Sequence, residues 1–511
     1  MRGKSLMFMG TASSVGKSML CAAVLRIMKQ DGFTVAPFKS QNMALNSFAT
    51  KEGLEMSRAQ VAQAEAAGLE PSVRMNPVLL KPTSDRRSQV IVGGKSMGTM
   101  SAMEYEKFKP QLRGMIKEIY DDLEKDVDVV VIEGAGSPAE INLKQGDIVN
   151  MSMAKMADAP VILIGDINQG GVFASLYGTV KLLDEEEQKR IKGIVINKFR
   201  GDIKILEPGL KMSEDLLHIP VIGVIPWMDI DMEDEDSVTE RFTRHAGKGQ
   251  IRVAIVRLPR ISNFTDFNLL GKEADVSVYY AARASELQDA DIIILPGTKN
   301  TVEDLNWLKQ RGLADEIIRH SRKDGMVIGI CGGYQMLGQS LHDPLHTEFR
   351  IAEMAGLGLL DFSVTFHTEK TTEQAKGAID CQEGWMRELN GILLDGYEIH
   401  SGVNTFGEDC VPFLRLNGRE EIDGVTNKRG NVIGSYLHGI FDTGSFWRAI
   451  VNRIRAQKGL DPSQEKVMTV QQFRDREFDR LASIVRQNID MASVYKIVRG
   501  EDVPCGRWDN A

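Results

Sequence analysis

The sequence predicts an α/β protein of two domains, an N-terminal P-loop domain on a parallel sheet and a C-terminal α/β domain. Three observations predict this. At 511 residues the chain is too long for one core. Short apolar runs alternate with helical patterns through residues 1–228, as βαβ units do, and a second such pattern begins at Ile251. Between them, Asp229–Asp236 holds six acidic residues in eight and is followed by Gly247-Lys248-Gly249, which reads as a solvated linker over 229–249.

The first domain should contain strands at Ser5–Met9, Thr34–Phe38, Val127–Glu133, Pro160–Gly165, Ile191–Asn197 and Val221–Ile225. Val127–Ile132 is almost continuously apolar, as a strand covered on both faces must be. Met19, Leu20, Ala23, Val24 and Ile27 recur at i, i+3/i+4 spacing and predict a helix from Gly16 to about Lys29. The second domain, 250–447, should contain strands at Arg252–Val256, Asp291–Leu295, Met326–Ile330 and Val432–Tyr436. Residues 448–511 read as a helical extension packed on that domain.

Composition narrows the function. A net charge of −9 gives no electrostatic case for nucleic-acid binding. No apolar run approaches the roughly 18 residues of a membrane span. The five cysteines, Cys21, Cys331, Cys381, Cys410 and Cys505, lack CxxC spacing and fit a reducing cytoplasm without a disulfide framework or zinc cage.

Gly10-Thr11-Ala12-Ser13-Ser14-Val15-Gly16-Lys17-Ser18 lies between a predicted strand and a predicted helix. Such a loop turns backbone N–H groups and a helix N-terminus toward an anion, here the phosphates of ATP. Lys17 can reach the terminal phosphates and the Ser18 hydroxyl can bind Mg²⁺. The standard spacing puts the first glycine at position 11, where this chain has Thr11, with Gly10 one residue earlier. Partitioning-type ATPases carry an extra lysine near the loop's start, and Ala12 stands there instead. Glu133 ends an apolar strand, the usual place for a carboxylate that holds Mg²⁺. Asp166 ends the next strand. Lys39, Gln41 and Asn42 follow another and are candidates for phosphate or substrate carboxylates, as is Arg200, while Asn197 is a candidate for adenine.

Cys331 ends the apolar strand Met326–Ile330 and is followed by Gly332-Gly333. A strand, a sharp turn and a helix form a nucleophile elbow, which exposes the thiol beside a backbone N–H that can bind an oxyanion. A thiol nucleophile needs a base. Of eight histidines, His438 in Gly434-Ser435-Tyr436-Leu437-His438-Gly439 follows a neighbouring strand and is the best placed, with His400 the alternative. Gly297, after Asp291–Leu295, and Gly332 are the candidate oxyanion donors.

The chain resembles the cobyric acid synthase family of cobalamin biosynthesis. The segments that carry the resemblance run in one order from GTASSVGKS (10–18), PFKSQNMALNS (37–47), EGAGSPAEINL (133–143), DINQGGVFAS (166–175) and NKFRGD (197–202) to LPGTKNT (295–301), CGGYQMLG (331–338), YEIHSG (397–402) and GSYLHGIFD (434–442). The resemblance implies a dethiobiotin synthetase-like N-terminal domain and a class I glutamine amidotransferase-like C-terminal domain. It implies Cys331 as nucleophile, His438 as base, and ATP, Mg²⁺ and glutamine as reactants. It also implies amidation of the b, d, e and g carboxylates of a corrinoid, adenosylcobyrinic acid a,c-diamide. In the wider class I pattern a Glu lies two residues after the His, where this chain has Ile440. Glu398 and Asp442 are the open alternatives for orienting His438. The nearest competing reading is a cobyrinic acid a,c-diamide synthase, which shares the two-domain plan.

Overall fold

The computed structural model describes residues 3–84, 86–232, 249–273, 275–346, 352–419, 422–464 and 467–509. They form two compact units. The first holds 3–43, 56–232 and 474–509, and the second holds 44–55 and 249–473. Most of the acidic stretch read as a linker, from residue 233 on, lies outside the described residues.

The first unit is built on six parallel strands: β1 (Lys4–Gly10), β2 (Val35–Phe38), β3 (Val129–Glu133), β4 (Val161–Asp166), β5 (Ile191–Phe199) and β6 (Val221–Pro226), in the order β6-β5-β4-β1-β3-β2. The central strands are buried on both faces, which explains their lack of alternation. Helix α1 (Lys17–Gln30) starts directly after the glycine loop and packs its apolar stripe against this sheet. Helix α2 (Arg58–Ala67) is buried almost throughout, including Arg58, Gln60 and Gln63. A small sheet of Gln41–Met43, Val78–Ser84, Arg87–Val92 and Lys95–Ser101 completes the unit; its short, partly polar strands have no clear period in the sequence.

The second unit carries parallel strands β7 (Ile251–Val256), β8 (Val276–Ala281), β9 (Ile292–Leu295), β10 (Met326–Ile330) and β11 (Val432–Ser435), in the order β8-β7-β9-β10-β11. The sheet continues from β11 into antiparallel strands, among them the long pair Phe362–Ile379 and Leu393–Phe406. No helix among the described residues is long and apolar enough to cross a membrane.

The C-terminal extension departs from the sequence expectation. Helix α3 (Ser445–Gln457) packs in the second unit through Phe446, Trp447, Ile450 and Val451. The helix that follows, α4 (Val470–Asn488), and α5 (Met491–Arg499) place Phe478, Leu481, Val485, Val494 and Ile497 in the core of the first unit. Periodicity identifies a helix and its apolar face, but not the sheet that face covers.

Candidate functional site

In the first unit, the loop after β1 ends at Gly16, whose φ of +101° is a backbone state that L side chains rarely adopt. A Cβ there would also collide with the Asn197 side chain. Asn197 Nδ2 donates to the Val15 carbonyl at 2.8 Å, so this residue braces the loop. Its Oδ1 is buried and finds no partner among the described residues, which leaves an acceptor for a ligand. Lys17 is buried, and Nζ donates to the carbonyls of Ala12 at 3.0 Å and Gly136 at 3.1 Å. Ser14, also in the loop, is held through its carbonyl by Lys198 Nζ at 2.6 Å, and the same ammonium pairs with Asp166 at 2.8 Å.

Glu133 is the focus of a buried polar cluster. Ser18 Oγ donates to its Oε1 at 2.7 Å and Lys39 Nζ lies 3.0 Å from the same oxygen. Gln63 Nε2 donates to Oε2 at 2.5 Å and Gln60 Nε2 at 3.4 Å. Burial pushes the Glu133 pKa up, but the Lys39 charge and the hydrogen bonds from Ser18, Gln63 and Lys39 outweigh it and hold the carboxyl below its ordinary value. An ionised carboxylate beside a hydroxyl at the end of a phosphate loop is an oxygen donor set suited to a hard divalent cation.

The remaining sequence candidates are placed differently from one another. Gln41 Oε1 accepts from Tyr105 OH at 2.5 Å. Asn42 is buried and donates to Ser57 Oγ at 2.6 Å. Arg200 lies over the Trp227 ring, 4.2 Å from its centroid. Of the four substrate candidates, only Lys39 is brought onto Glu133.

In the second unit, β10 runs into Cys331, whose φ of +51° and ψ of −110° are strained for a residue with a side chain. The short helix Gly332–Leu337 begins at the next residue. Gly333 permits this close turn, because a Cβ there would coincide with the Leu295 carbonyl at the end of β9. Cys331 is buried, its N–H donates to the Ser435 carbonyl at 2.9 Å, and its Sγ lies 3.6 Å from the Ile399 carbonyl. His438, just beyond β11, is also buried, and its ring faces the Cys331 thiol. Gly297 lies against the same ring: a Cβ on it would be 3.1 Å from His438 Cε1.

The residue that orients His438 is Asp266, whose Oδ2 lies 2.7 Å from Nδ1. Both are buried. Burial acts to lower the His438 pKa, but the charges of Asp266 and Cys331, with hydrogen bonds to both, raise it to about 10. Neither Glu398 nor Asp442 has this role. Glu398 is paired with Arg419, and the Asp442 N–H closes a turn onto the Gly439 carbonyl at 2.8 Å. Asp266 escaped the sequence reading because it lies 172 positions before His438. The available signal was the run Ser262-Asn263-Phe264-Thr265-Asp266, polar at four of its five positions, soon after an apolar strand. His400, the alternative base, has Nδ1 2.8 Å from the Gly402 carbonyl, stacks on Tyr436 at 3.7 Å, and is held below its ordinary pKa chiefly by burial.

Comparison with known proteins agrees with both halves of this geometry. Residues 6–237 match the CobQ/CobB/MinD/ParA nucleotide binding domain, and residues 252–446 match the CobB/CobQ-like glutamine amidotransferase domain. A cobyric acid synthase of Alkaliphilus metalliredigens (strain QYMF) is 55% identical over 502 residues, 97% of this chain and 100% of that one. The chain belongs to the cobyric acid synthase family. Another member, from Thermoanaerobacter sp. (strain X514), is 52% identical over 96% of this chain and 98% of that protein. A third, from Streptococcus sanguinis (strain SK36), is 49% identical over 98% and 99%. Family membership thus makes the first unit a nucleotide-binding domain and the second a glutamine amidotransferase domain, and the chain a glutamine-hydrolysing ligase.

Proposed function

We propose that this enzyme amidates the b, d, e and g carboxylates of adenosylcobyrinic acid a,c-diamide, using glutamine as nitrogen donor and ATP as activator, to give adenosylcobyric acid. The observation that carries the amidase half is the buried row of Asp266, His438 and Cys331 at a strand-turn-helix elbow. Asp266 keeps the Nδ1 proton of His438 in place, so that Nε2 takes the proton from the Cys331 thiol. The thiolate attacks the side-chain carbonyl carbon of glutamine. The tetrahedral oxyanion is held by the N–H groups of Gly297 and Gly332. His438 returns the proton to the leaving nitrogen, ammonia departs, and a glutamyl thioester remains. Water, deprotonated by His438, attacks that thioester, and glutamate leaves as the thiol re-forms.

In the first unit, Gly10, Thr11, Val15, Gly16, Lys17 and Ser18 would cradle the phosphates of ATP, and Asn197 Oδ1 would accept from the base. Ser18 and Glu133 would hold Mg²⁺, which supplies charge neutralisation on the phosphates when bound. A carboxylate is a poor electrophile because it has no leaving group. Its oxygen attacks the γ-phosphorus, the bond to ADP breaks, and the acyl phosphate formed accepts ammonia with loss of phosphate. Lys17 balances the charge on the group in transfer. Lys39 balances charge near the same carboxylate, Glu133, and Gln41, Asn42 and Arg200 remain candidates for the corrinoid arms.

The substrate assignment is tested by ADP release with each corrinoid in the presence of ammonium. Stimulation by the a,c-diamide is expected. Stimulation by cobyrinic acid alone would favour the a,c-diamide synthase reading.

The triad carries its own prediction. The raised His438 pKa favours the imidazolium that forms when Nε2 takes the Cys331 proton, and that form is lost as pH rises through about 10. Asp266→Asn removes the charge that raises it. Glutamine kcat/KM is expected to fall on the order of 10²–10⁴-fold, with the alkaline limb of its pH profile moved to lower pH. A D266N enzyme with a wild-type profile would remove Asp266 from the mechanism.

A further inference from the structure

Residues 44–55 come from the first half of the chain yet fold within the second unit. They are built into it. Glu55, buried, pairs with Lys370 at 2.6 Å, and the Ala49 carbonyl accepts from Gln374 Nε2 at 3.3 Å. Phe48 meets Tyr397 edge-on, with centroids 4.9 Å apart, and Tyr397 stacks on the His438 ring at 5.2 Å and 19°. The Ser47 N–H donates to Asn263 Oδ1 at 2.9 Å, and Asn263 Nδ2 lies 3.3 Å from His438 Nε2.

A carboxamide has one accepting end and one donating end. The Ser47 N–H can only donate, so it draws the Asn263 oxygen to itself and turns the NH₂ group toward His438. An N–H aimed at Nε2 is compatible with a lone pair on that nitrogen and opposes a proton there. Cys331 must deliver its proton to this same atom. The other groups facing the pair are Asp266 at Nδ1, His400, and the Tyr436 hydroxyl near Cys331. Asp266 and the ionised thiol favour imidazolium, and Asn263 acts against it.

We propose that Asn263, oriented by the backbone of Ser47, sets the proton balance between Cys331 and His438, so that residues 44–55 hold the amidase in a less ionised resting state. Asn263 is thus a positioning residue, and the inference rests on the amidase reading above. The segment is joined at Met43 and Met56 to chain belonging to the first unit. Beyond those joints lie Lys39 and Gln63, both bound to Glu133, so the covalent path to residues that contact Glu133 is short on both sides.

Asn263→Gly tests this in the full-length enzyme. Asn263 has a φ of +51°, which glycine adopts without strain, so the substitution removes the carboxamide and keeps the backbone. Two profiles are measured against pH: iodoacetamide alkylation of Cys331, followed by peptide mass spectrometry, and kcat/KM for glutamine. The acid limb of both is expected to move down by about one pH unit, the effect of roughly one hydrogen bond. Ser47→Pro, which deletes the N–H that orients the amide, should move the limb in the same direction. Phe48→Ala, which removes the ring packed on Tyr397 and leaves the Ser47 N–H and Asn263 intact, should leave it in place. An N263G limb that stays put or moves up would overturn the proposal. A shifted alkylation limb in an enzyme whose wild type hydrolyses no glutamine would instead reject the amidase reading and leave the proton balance standing.

Discussion

Cys331→Ala is expected to abolish amidation driven by glutamine and to leave amidation driven by ammonium within about twofold of wild type. The first half follows from the elbow. Cys331 is the thiol that the strand-turn-helix geometry presents to His438, while Cys381 and Cys410 have thiols pushed up in pKa by burial. Without a thiolate no acyl-enzyme forms, and glutamine hydrolysis should fall by at least about 10³-fold. The second half follows from the division of labour between the domains. Ammonium supplies the nitrogen that the amidase would release, and the groups assigned to acyl-phosphate formation, Lys17, Ser18 and Glu133, belong to the first unit. The removed sulfur leaves a small buried gap, costing on the order of 1 kcal/mol, too little to unfold the protein. The assays are glutamate release from glutamine and corrinoid amide formation on ammonium chloride. Glutamate release by C331A at the wild-type rate would place the nucleophile elsewhere.

Lys17→Ala should give the opposite pattern: amidation strongly reduced from both nitrogen sources, with basal glutamine hydrolysis retained. Lys17 Nζ now bridges the carbonyls of Ala12 and Gly136, so it is held at the mouth of the loop by two neutral acceptors. A phosphate group would compete for that ammonium far more strongly than carbonyls do. Removal of the charge from the transfer step should lower corrinoid-dependent ADP formation on the order of 10²–10³-fold. The variant also loses the clamp on the loop, so a thermal melt belongs beside the assay. A K17A enzyme that amidates normally with a wild-type melt would refute the role of the loop in activation.

Much of this was legible in the sequence because buried parallel strands leave a coarse signal. Runs such as Val129–Ile132 and Ile292–Leu295 are apolar at every position and end sharply, the first at Glu133 and the second at Pro296-Gly297. The phosphate loop and the cysteine elbow follow two such strands, and chemistry placed at a strand end can be read locally. What was not legible depends on chain returning from far away. Asp266 meets His438 across 172 positions, and no periodicity records that meeting. The same holds for Ser47, whose backbone reaches Asn263 across 216 positions. Phe478, Leu481 and Val485 mark an apolar face on α4, but the identity of its partner sheet is a matter of three-dimensional packing. The antiparallel strands at 362–379 and 393–406 mix threonine, glycine and charge, so neither strict alternation nor an unbroken apolar run announces them.

The expected chemistry joins a thiol-dependent glutaminase to ATP-dependent activation of corrinoid carboxylates in one chain. Its most direct test is mass spectrometry of the corrinoid formed from cobyrinic acid a,c-diamide, ATP–Mg²⁺ and amide-¹⁵N-labelled glutamine. The expected product carries four new amides, all labelled, with C331A giving the same four amides only when ammonium is supplied. A folded wild-type enzyme that adds no amide to this substrate from either nitrogen source would contradict it.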